Sequence, residues 1–380
     1  MRFAEVRLVI GTRPEAIKLA PVAHALAERG LTPSLILTGQ HPRLDLAEFG
    51  LGGFRTDRLS CPGEEDPHRH AGAVTDALLS RLSRRPDLLV VQGDTSSALG
   101  AALAAITRNV PIAHVEAGLR TYDPLLPWPE EEYRIAIDSN ADLLFVPTAT
   151  AAANLRAEQV HGEIYVTGNT SIDALLAIEA GLPAIEPRRD DIPRLLVTAH
   201  RRESWGEGLR SIAGALRELA DDAQIEFVLH PNPHVAAIMR AALQGCREIR
   251  LLEPCGHREL VQRMRGVDLI LSDSGGIQEE APVLGIPLLV LRDKTERPEG
   301  IAEGSATLVG TSSERIVGEV RRLLHDPAAI AVMRRRSFPY GDGKAAPRIA
   351  QHIENWLQRR SALSAATTDC LRRSCGCLPQ

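Results

Sequence analysis

Short apolar runs alternate along the chain with longer stretches whose apolar residues recur at helical spacing. The runs VRLVIG (6–11), SLILTG (34–39), DLLVVQG (87–93), PIAHVEAG (111–118) and DLLFVPT (142–148) are apolar on both alternating sets of positions. Strands of that kind are buried on both faces, as in a parallel sheet covered by helices. The βαβα rhythm then restarts with RLLVTAH (194–200), EFVLHP (226–231), IRLLEP (249–254), DLILSDSGG (268–276) and IPLLVLRD (286–293). Between the two series lies 181–193, proline-rich, charged and without periodicity, as a linker would be. The pattern predicts two doubly wound α/β domains with a cleft between them.

Open parallel sheets bind ligands beyond the carboxyl ends of their strands. The unusual polar clusters of this sequence fall at those ends: GTRPE after the first run, GDTSS after 87–93, EAGLRT after 111–115, AHRRES after 194–198 and DSGGIQEEA after 268–272. Two such arrays describe an active site between domains better than they describe random surface.

Size and composition agree. A chain of 380 residues exceeds what one core usually supports. With 44% apolar residues, 24% charged and a net charge of −5, it reads as a globular protein without the positive charge a nucleic-acid partner needs. Six cysteines form no framework: Cys61, Cys246 and Cys255 are scattered, and Cys370, Cys375 and Cys377 cluster in the tail without a histidine or carboxylate set beside them. The start lacks the apolar core and cleavage site of a secretion signal, and no run of about 18 apolar residues exists to span a membrane. The expectation is a cytoplasmic protein with reduced thiols, no membrane partner and no metal.

Several clusters suggest chemistry. Asp273–Glu280 ends a strand and opens a helix; Ser274 can cap it, and Gly275 and Gly276 let backbone N–H groups approach a phosphate or pyrophosphate. Glu280, about a turn and a half in, can accept two ribose hydroxyls. Arg13 and Lys18 follow the first strand, Pro14 suiting the first turn of a helix, with a solvated helix lysine the alternative for Lys18. His200, Arg201 and Arg202 offer donors suited to a diphosphate.

Asp94, Glu116 and Glu130 lie on loops of the first half. Asp94 alone could be an N-cap and Glu130 alone a first-turn acid, but three acids opposite a basic phosphate site suggest proton transfer on a neutral sugar ring. Arg134, four residues past Glu130, could hold that carboxylate or form an ordinary surface pair. GxGxxG, the Walker lysine motif and the serine elbow are all missing, which argues against redox cofactors and ATP.

These residues resemble a known family, the non-hydrolysing UDP-N-acetylglucosamine 2-epimerases. The matching stretches are GTRPEAIKLAPV (11–22), TGQH (38–41), GDTSS (93–97), HVEAGLRT (114–121), PWPEEEYR (127–134), VTGNTSID (166–173), TAHRRES (198–204), DSGGIQEEAP (273–282) and RDKTERPEG (292–300). The resemblance implies a GT-B fold: a domain over 1–172, a UDP-binding domain over 173–343, a helix over about 344–360 crossing back to the first, and a disordered tail over 361–380. It implies reversible conversion of UDP-GlcNAc to UDP-ManNAc, without cofactor, by elimination of UDP to 2-acetamidoglucal and re-addition, in a homodimer. Asp94, Glu116 and Glu130 match its proton-transfer carboxylates. Arg13, Lys18, Arg134 and His200 match further site residues, with His200 near the leaving diphosphate. Ser274, Gly275, Gly276 and Glu280 match the UDP site, and Thr295, Glu296 and Arg297 the loop before the sugar. Gln40, His41, Arg201 and His230 match a second, activating UDP-GlcNAc site, although Pro42–Asp45 and 61–72 depart from the family there.

Other classes remain open at this point. The uronic-acid branch of the family epimerises a UDP-diacetamido-glucuronate with the same catalytic set. A hydrolysing epimerase would release free N-acetylmannosamine, but the intact RPEAIK and TERPE belong to the reversible branch. A GT-B glycosyltransferase would need an acceptor groove, often with a membrane-facing amphipathic helix. A non-catalytic sugar-nucleotide sensor would lack the carboxylates that this chain retains.

Overall fold

A computed structural model describes residues 4–82, 84–185, 191–199, 201 and 204–375, with side chains to residue 363. The chain divides into two compact units. One gathers the chain up to Gly118, Glu132–Thr170 and the chain from Lys344 onward; the other gathers Leu119–Glu131 and Ser171–Gly343.

In the first unit the order is β1 (Glu5–Ile10), α1 (Arg13–Glu28), β2 (Thr32–Leu37), β3 (Thr56–Arg58), α2 (Pro67–Arg81), β4 (Leu88–Gln92), α3 (Ser96–Arg108), β5 (Ile112–Val115), α4 (Glu130–Asp138, its first turn in the other unit), β6 (Leu143–Val146), α5 (Ala149–Ala157) and β7 (Glu163–Val166). Among the described residues these strands form one sheet in the order β3-β2-β1-β4-β5-β6-β7, with every pairing parallel. The strand order reverses between β1 and β4, the place where open sheets offer ligands a crevice.

Alternation along the strands explains the layering. Leu8 and Ile10, Leu35 and Leu37, and Leu88 and Val90 enter one core, while Val9, Ile36, Leu89 and Val91 enter the other. Each such side chain, fully buried, contributes about 1.5–3 kcal/mol.

The second unit begins with α6 (Thr170–Ala180) and continues through β8 (Arg194–Thr198), α7 (Glu207–Glu218), β9 (Gln224–Val228), α8 (Pro233–Ala242), β10 (Ile249–Leu252), α9 (His257–Met264), β11 (Leu269–Ser272), α10 (Gly275–Leu284), β12 (Leu288–Val290), α11 (Pro298–Ala302), β13 (Ala306–Leu308), α12 (Ser313–His325) and α13 (Pro327–Met333). Its parallel sheet runs β10-β9-β8-β11-β12-β13. Leu195, Val197, Leu269 and Leu271 face one core and Leu196 and Ile270 the other. The reversal here lies between β8 and β11.

The last helix, α14 (Ala345–Cys375), returns to the first unit. Ala346, Ile349, Ala350, Ile353, Trp356 and Leu357 recur every three or four residues and join the core beneath α1. Arg29, just past α1, ties its Nε to Glu354 Oε2 at 2.6 Å. The helix continues past residue 360, where the sequence reading places a disordered tail. Among the described residues no helix is long and apolar enough to cross a membrane.

Candidate active site

Each unit presents its polar residues at strand ends around its own reversal point. In the first unit, β1 runs into Gly11, where only a glycine fits: a Cβ would lie 2.1 Å from Ser97 Oγ and 2.8 Å from Thr38 Oγ1. Thr12 caps α1, and Glu15 reaches back in a capping box. Glu15 Oε2 accepts Gly11 N at 2.7 Å, Thr12 N at 2.6 Å and Thr12 Oγ1 at 2.9 Å, while Oε1 accepts Thr95 Oγ1 at 2.6 Å. One buried carboxylate thus joins the β1–α1 turn to the turn that carries Asp94. Thr95, not Asp94, caps α3, accepting Ala98 N at 3.0 Å, which removes the simplest structural explanation for Asp94.

Burial pushes the Glu15 carboxyl above its ordinary value, against the four donors that favour the charged form. A group raised on folding contributes its full stability below its ordinary range and loses it as pH rises through the folded value. Glu15→Gln is therefore expected to cost about 1–3 kcal/mol through mismatched donors. Because glutamine does not titrate, the melting-temperature gap to wild type is expected to narrow as pH is raised. A gap that widens with pH would contradict the upward shift of the Glu15 carboxyl.

Arg13 stands at the first position of α1. Lys18, about a turn and a half further, is 6% exposed and forms an ion pair with Glu116, so it is no solvated lysine. Glu116 Oε2 also accepts Asn169 Nδ2 at 3.0 Å, and Glu116 has φ +69°, a left-handed conformation unusual for a residue with a side chain. Strain of this kind gathers at functional sites. Arg134 on α4 is 2% exposed and pairs with Asp94. The loop after β2 is tied to both neighbouring strand ends: Ser97 Oγ, past β4, donates to Gln40 Oε1 at 2.7 Å, and His41 N donates to Gly11 O, past β1, at 3.1 Å.

In the second unit, Ser274 occupies the N-cap of α10 without a side-chain capping bond. The side chain of Arg297 crosses this helix start; a Cβ on Gly275 would lie 2.8 Å from its guanidinium carbon. Arg297 is fixed by charge: Nε donates to Glu279 Oε1 at 2.7 Å, and Nη1 pairs with Glu296, whose other oxygen accepts Arg292 Nη1 at 2.9 Å. All four side chains are at most 7% exposed. Glu296 thereby acts as a strut for Arg297. Thr295 Oγ1 donates to Gln278 Oε1 at 2.6 Å and accepts Arg297 N at 3.1 Å.

Glu280, 5% exposed, lies 2.8 Å by Oε1 from His257 Nε2. Arg201 donates its backbone N to Asp273 Oδ2 at 2.7 Å and Nη1 to Glu130 Oε1 at 3.3 Å, so Glu130 and Arg201 meet. His230 Nδ1 accepts Asn232 N at 3.1 Å in the loop before α8. His200 lies outside the described residues. Among the described residues no group of three His, Cys, Asp or Glu is placed to hold a metal ion.

Reading by sequence passed over Glu15, Asn169, His257, Glu279 and Arg292. For Glu15 a signal existed, since Thr12 and Glu15 have the spacing of a capping box. Asn169, His257 and Glu279 act through partners distant in sequence, which no local pattern encodes, while Arg292 pairs with Glu296 four residues on, a spacing the sequence does show.

Two parallel α/β units with polar strand-end sites are of the Rossmann-like, GT-B class. A family model described as UDP-N-acetylglucosamine 2-epimerase matches residues 24–354. The chain is 40% identical over 378 residues to UDP-N-acetylglucosamine 2-epimerase of Escherichia coli strain K12, covering 92% of this chain and 98% of that one. It is similar in structure to UDP-GlcNAc 2-epimerase from Neisseria meningitidis bound to UDP-GlcNAc, with TM-score 0.85 and 36% identity over 92% of this chain and 100% of that one. The Methanocaldococcus jannaschii enzyme in complex with UDP-GlcNAc and UDP gives TM-score 0.80 and 31% identity over 92% and 99%. The chain belongs to the UDP-N-acetylglucosamine 2-epimerase family.

Proposed function

We propose that this enzyme interconverts UDP-GlcNAc and UDP-ManNAc without hydrolysis. A carboxylate removes the C2 proton as the C1–O bond to UDP breaks; the electron pair left at C2 forms the C1–C2 double bond of 2-acetamidoglucal. A proton then reaches C2 from the opposite face while UDP re-adds at C1. Atoms and electrons balance throughout, so the sequence consumes no oxidant or reductant.

In this reading Asp94, Glu116 and Glu130 carry protons, with Lys18 and Arg134 orienting the first two. Arg13 and His200 meet the diphosphate, whose charge grows as it leaves. Ser274, Gly275 and Gly276 offer it the positive end of α10, Glu280 takes the ribose, and Thr295, Glu296 and Arg297 border the sugar. Gln40, His41, Arg201 and His230 form a second UDP-GlcNAc site that activates the enzyme. The setting is cytoplasmic and the assembly a homodimer. The observation that carries the reading is Glu116, a strained, buried carboxylate held by Lys18 and Asn169, in a chain of this family.

Proton NMR of the wild type with UDP-GlcNAc in D2O tests it. UDP-ManNAc with deuterium at C2 is expected. Free N-acetylmannosamine with UDP would assign the hydrolysing reaction instead. If UDP-GlcNAc is not turned over while a UDP-diacetamido-glucuronate is, the substrate belongs to the uronic-acid branch.

A further inference from the structure

His114 and Asp138 are both wholly buried and take no part in the chemistry above. His114 Nδ1 lies 2.6 Å from Asp138 Oδ1, and its Nε2 lies 2.8 Å from Gly93 O. A carbonyl can only accept, so Nε2 carries a proton toward Gly93, and a further proton lies between Nδ1 and the carboxylate. Asp138 Oδ2 accepts the backbone N–H of Gly118 at 3.1 Å.

These contacts bind three functional segments together. Gly93 precedes Asp94. Gly118 closes the turn that Glu116 opens, where φ is +69° at Glu116 and +80° at Gly118. Asp138 is four residues after Arg134 on α4, so the carboxylate that holds Gly118 directly and Gly93 through His114 sits one helical turn from the arginine that pairs with Asp94. A further hold exists at the strained turn, where Glu116 N and Ala117 N both donate to Phe145 O, at 3.0 and 3.1 Å.

We infer that His114 and Asp138 form a positioning dyad, which sets the separation and aim of the Asp94 and Glu116 carboxylates through Gly93 O and Gly118 N. The inference rests on the reading that these two carboxylates act on the substrate. Chemistry at two faces of one carbon tolerates little error in that separation, and a misplacement of about 1 Å can cost about a hundredfold in rate. A buried pair satisfied on every side is suited to such a task.

The test uses Asp138→Asn and His114→Gln with steady-state kinetics and product analysis. A folded variant is expected to lose about a hundredfold in kcat with KM within about twofold. Free UDP and 2-acetamidoglucal should rise at least about tenfold as a share of turnovers, because misaimed acids fail to reprotonate the intermediate before it escapes. Wild-type kcat, or a lowered kcat with wild-type partitioning, overturns the inference, since lost folding alone changes the amount of active enzyme and not its partitioning.

A second measurement needs neither variant nor turnover. In wild type the His114 Nδ1 proton should give a downfield, slowly exchanging resonance, and its absence overturns the dyad. Were UDP-GlcNAc not the substrate, the kinetic arm would fail while this resonance remained, which separates the two failures.

Discussion

Glu116→Gln is expected to fold as the wild type does and to epimerise UDP-GlcNAc about a thousandfold more slowly, within the range that one general acid or base contributes. Glutamine preserves shape and can still accept from Asn169, which donates 3.0 Å from Oε2 in the native protein. It cannot take a proton at neutral pH, and Lys18 loses the charge it pairs with. The check is deuterium at C2 of UDP-GlcNAc recovered from D2O. If Glu116 removes that proton, neither substrate nor product acquires the label; if it only reprotonates the intermediate on the other face, substrate gains deuterium without product forming. Full activity in the variant would remove Glu116 from the mechanism and leave its strained backbone, at φ +69°, unexplained.

The architecture was largely legible because interior parallel strands are apolar on both faces. The strands that escaped notice, β3, β7 and β13, all lie at sheet edges. β3 reads Thr-Asp-Arg and β7 is exposed or half-buried throughout, so neither shows the continuous apolar run that marks an interior strand. The polar clusters at strand ends were equally legible, since loops after parallel strands recur in a fixed place. Their pairings were not. Arg134 could be weighed only against Glu130, its neighbour at helical spacing, while its ion pair with Asp94 spans forty residues of sequence. His114 reads as one more residue of an apolar strand until Asp138 is brought beside it.

The largest effect on stability is expected in the second unit. Arg297→Met would leave Glu279 and Glu296 buried without the guanidinium they share, and the loss of one partner from a buried charge network costs about 3–5 kcal/mol. Glu296 keeps Arg292 at 2.9 Å, so Glu279 bears most of that cost. Arg297→Lys should recover only part of it, because an ammonium is a point charge and the native contacts use two different nitrogens of a planar fork. Urea unfolding followed by a probe in the second unit checks the order wild type, then lysine, then methionine. Calorimetry with UDP separates the binding role: Arg297 lies across the start of α10, so affinity is expected to fall in the lysine variant at a urea concentration where it remains folded. A methionine variant as stable as wild type would mean that water or a shifted donor reaches Glu279, and that Arg297 is held for the ligand alone.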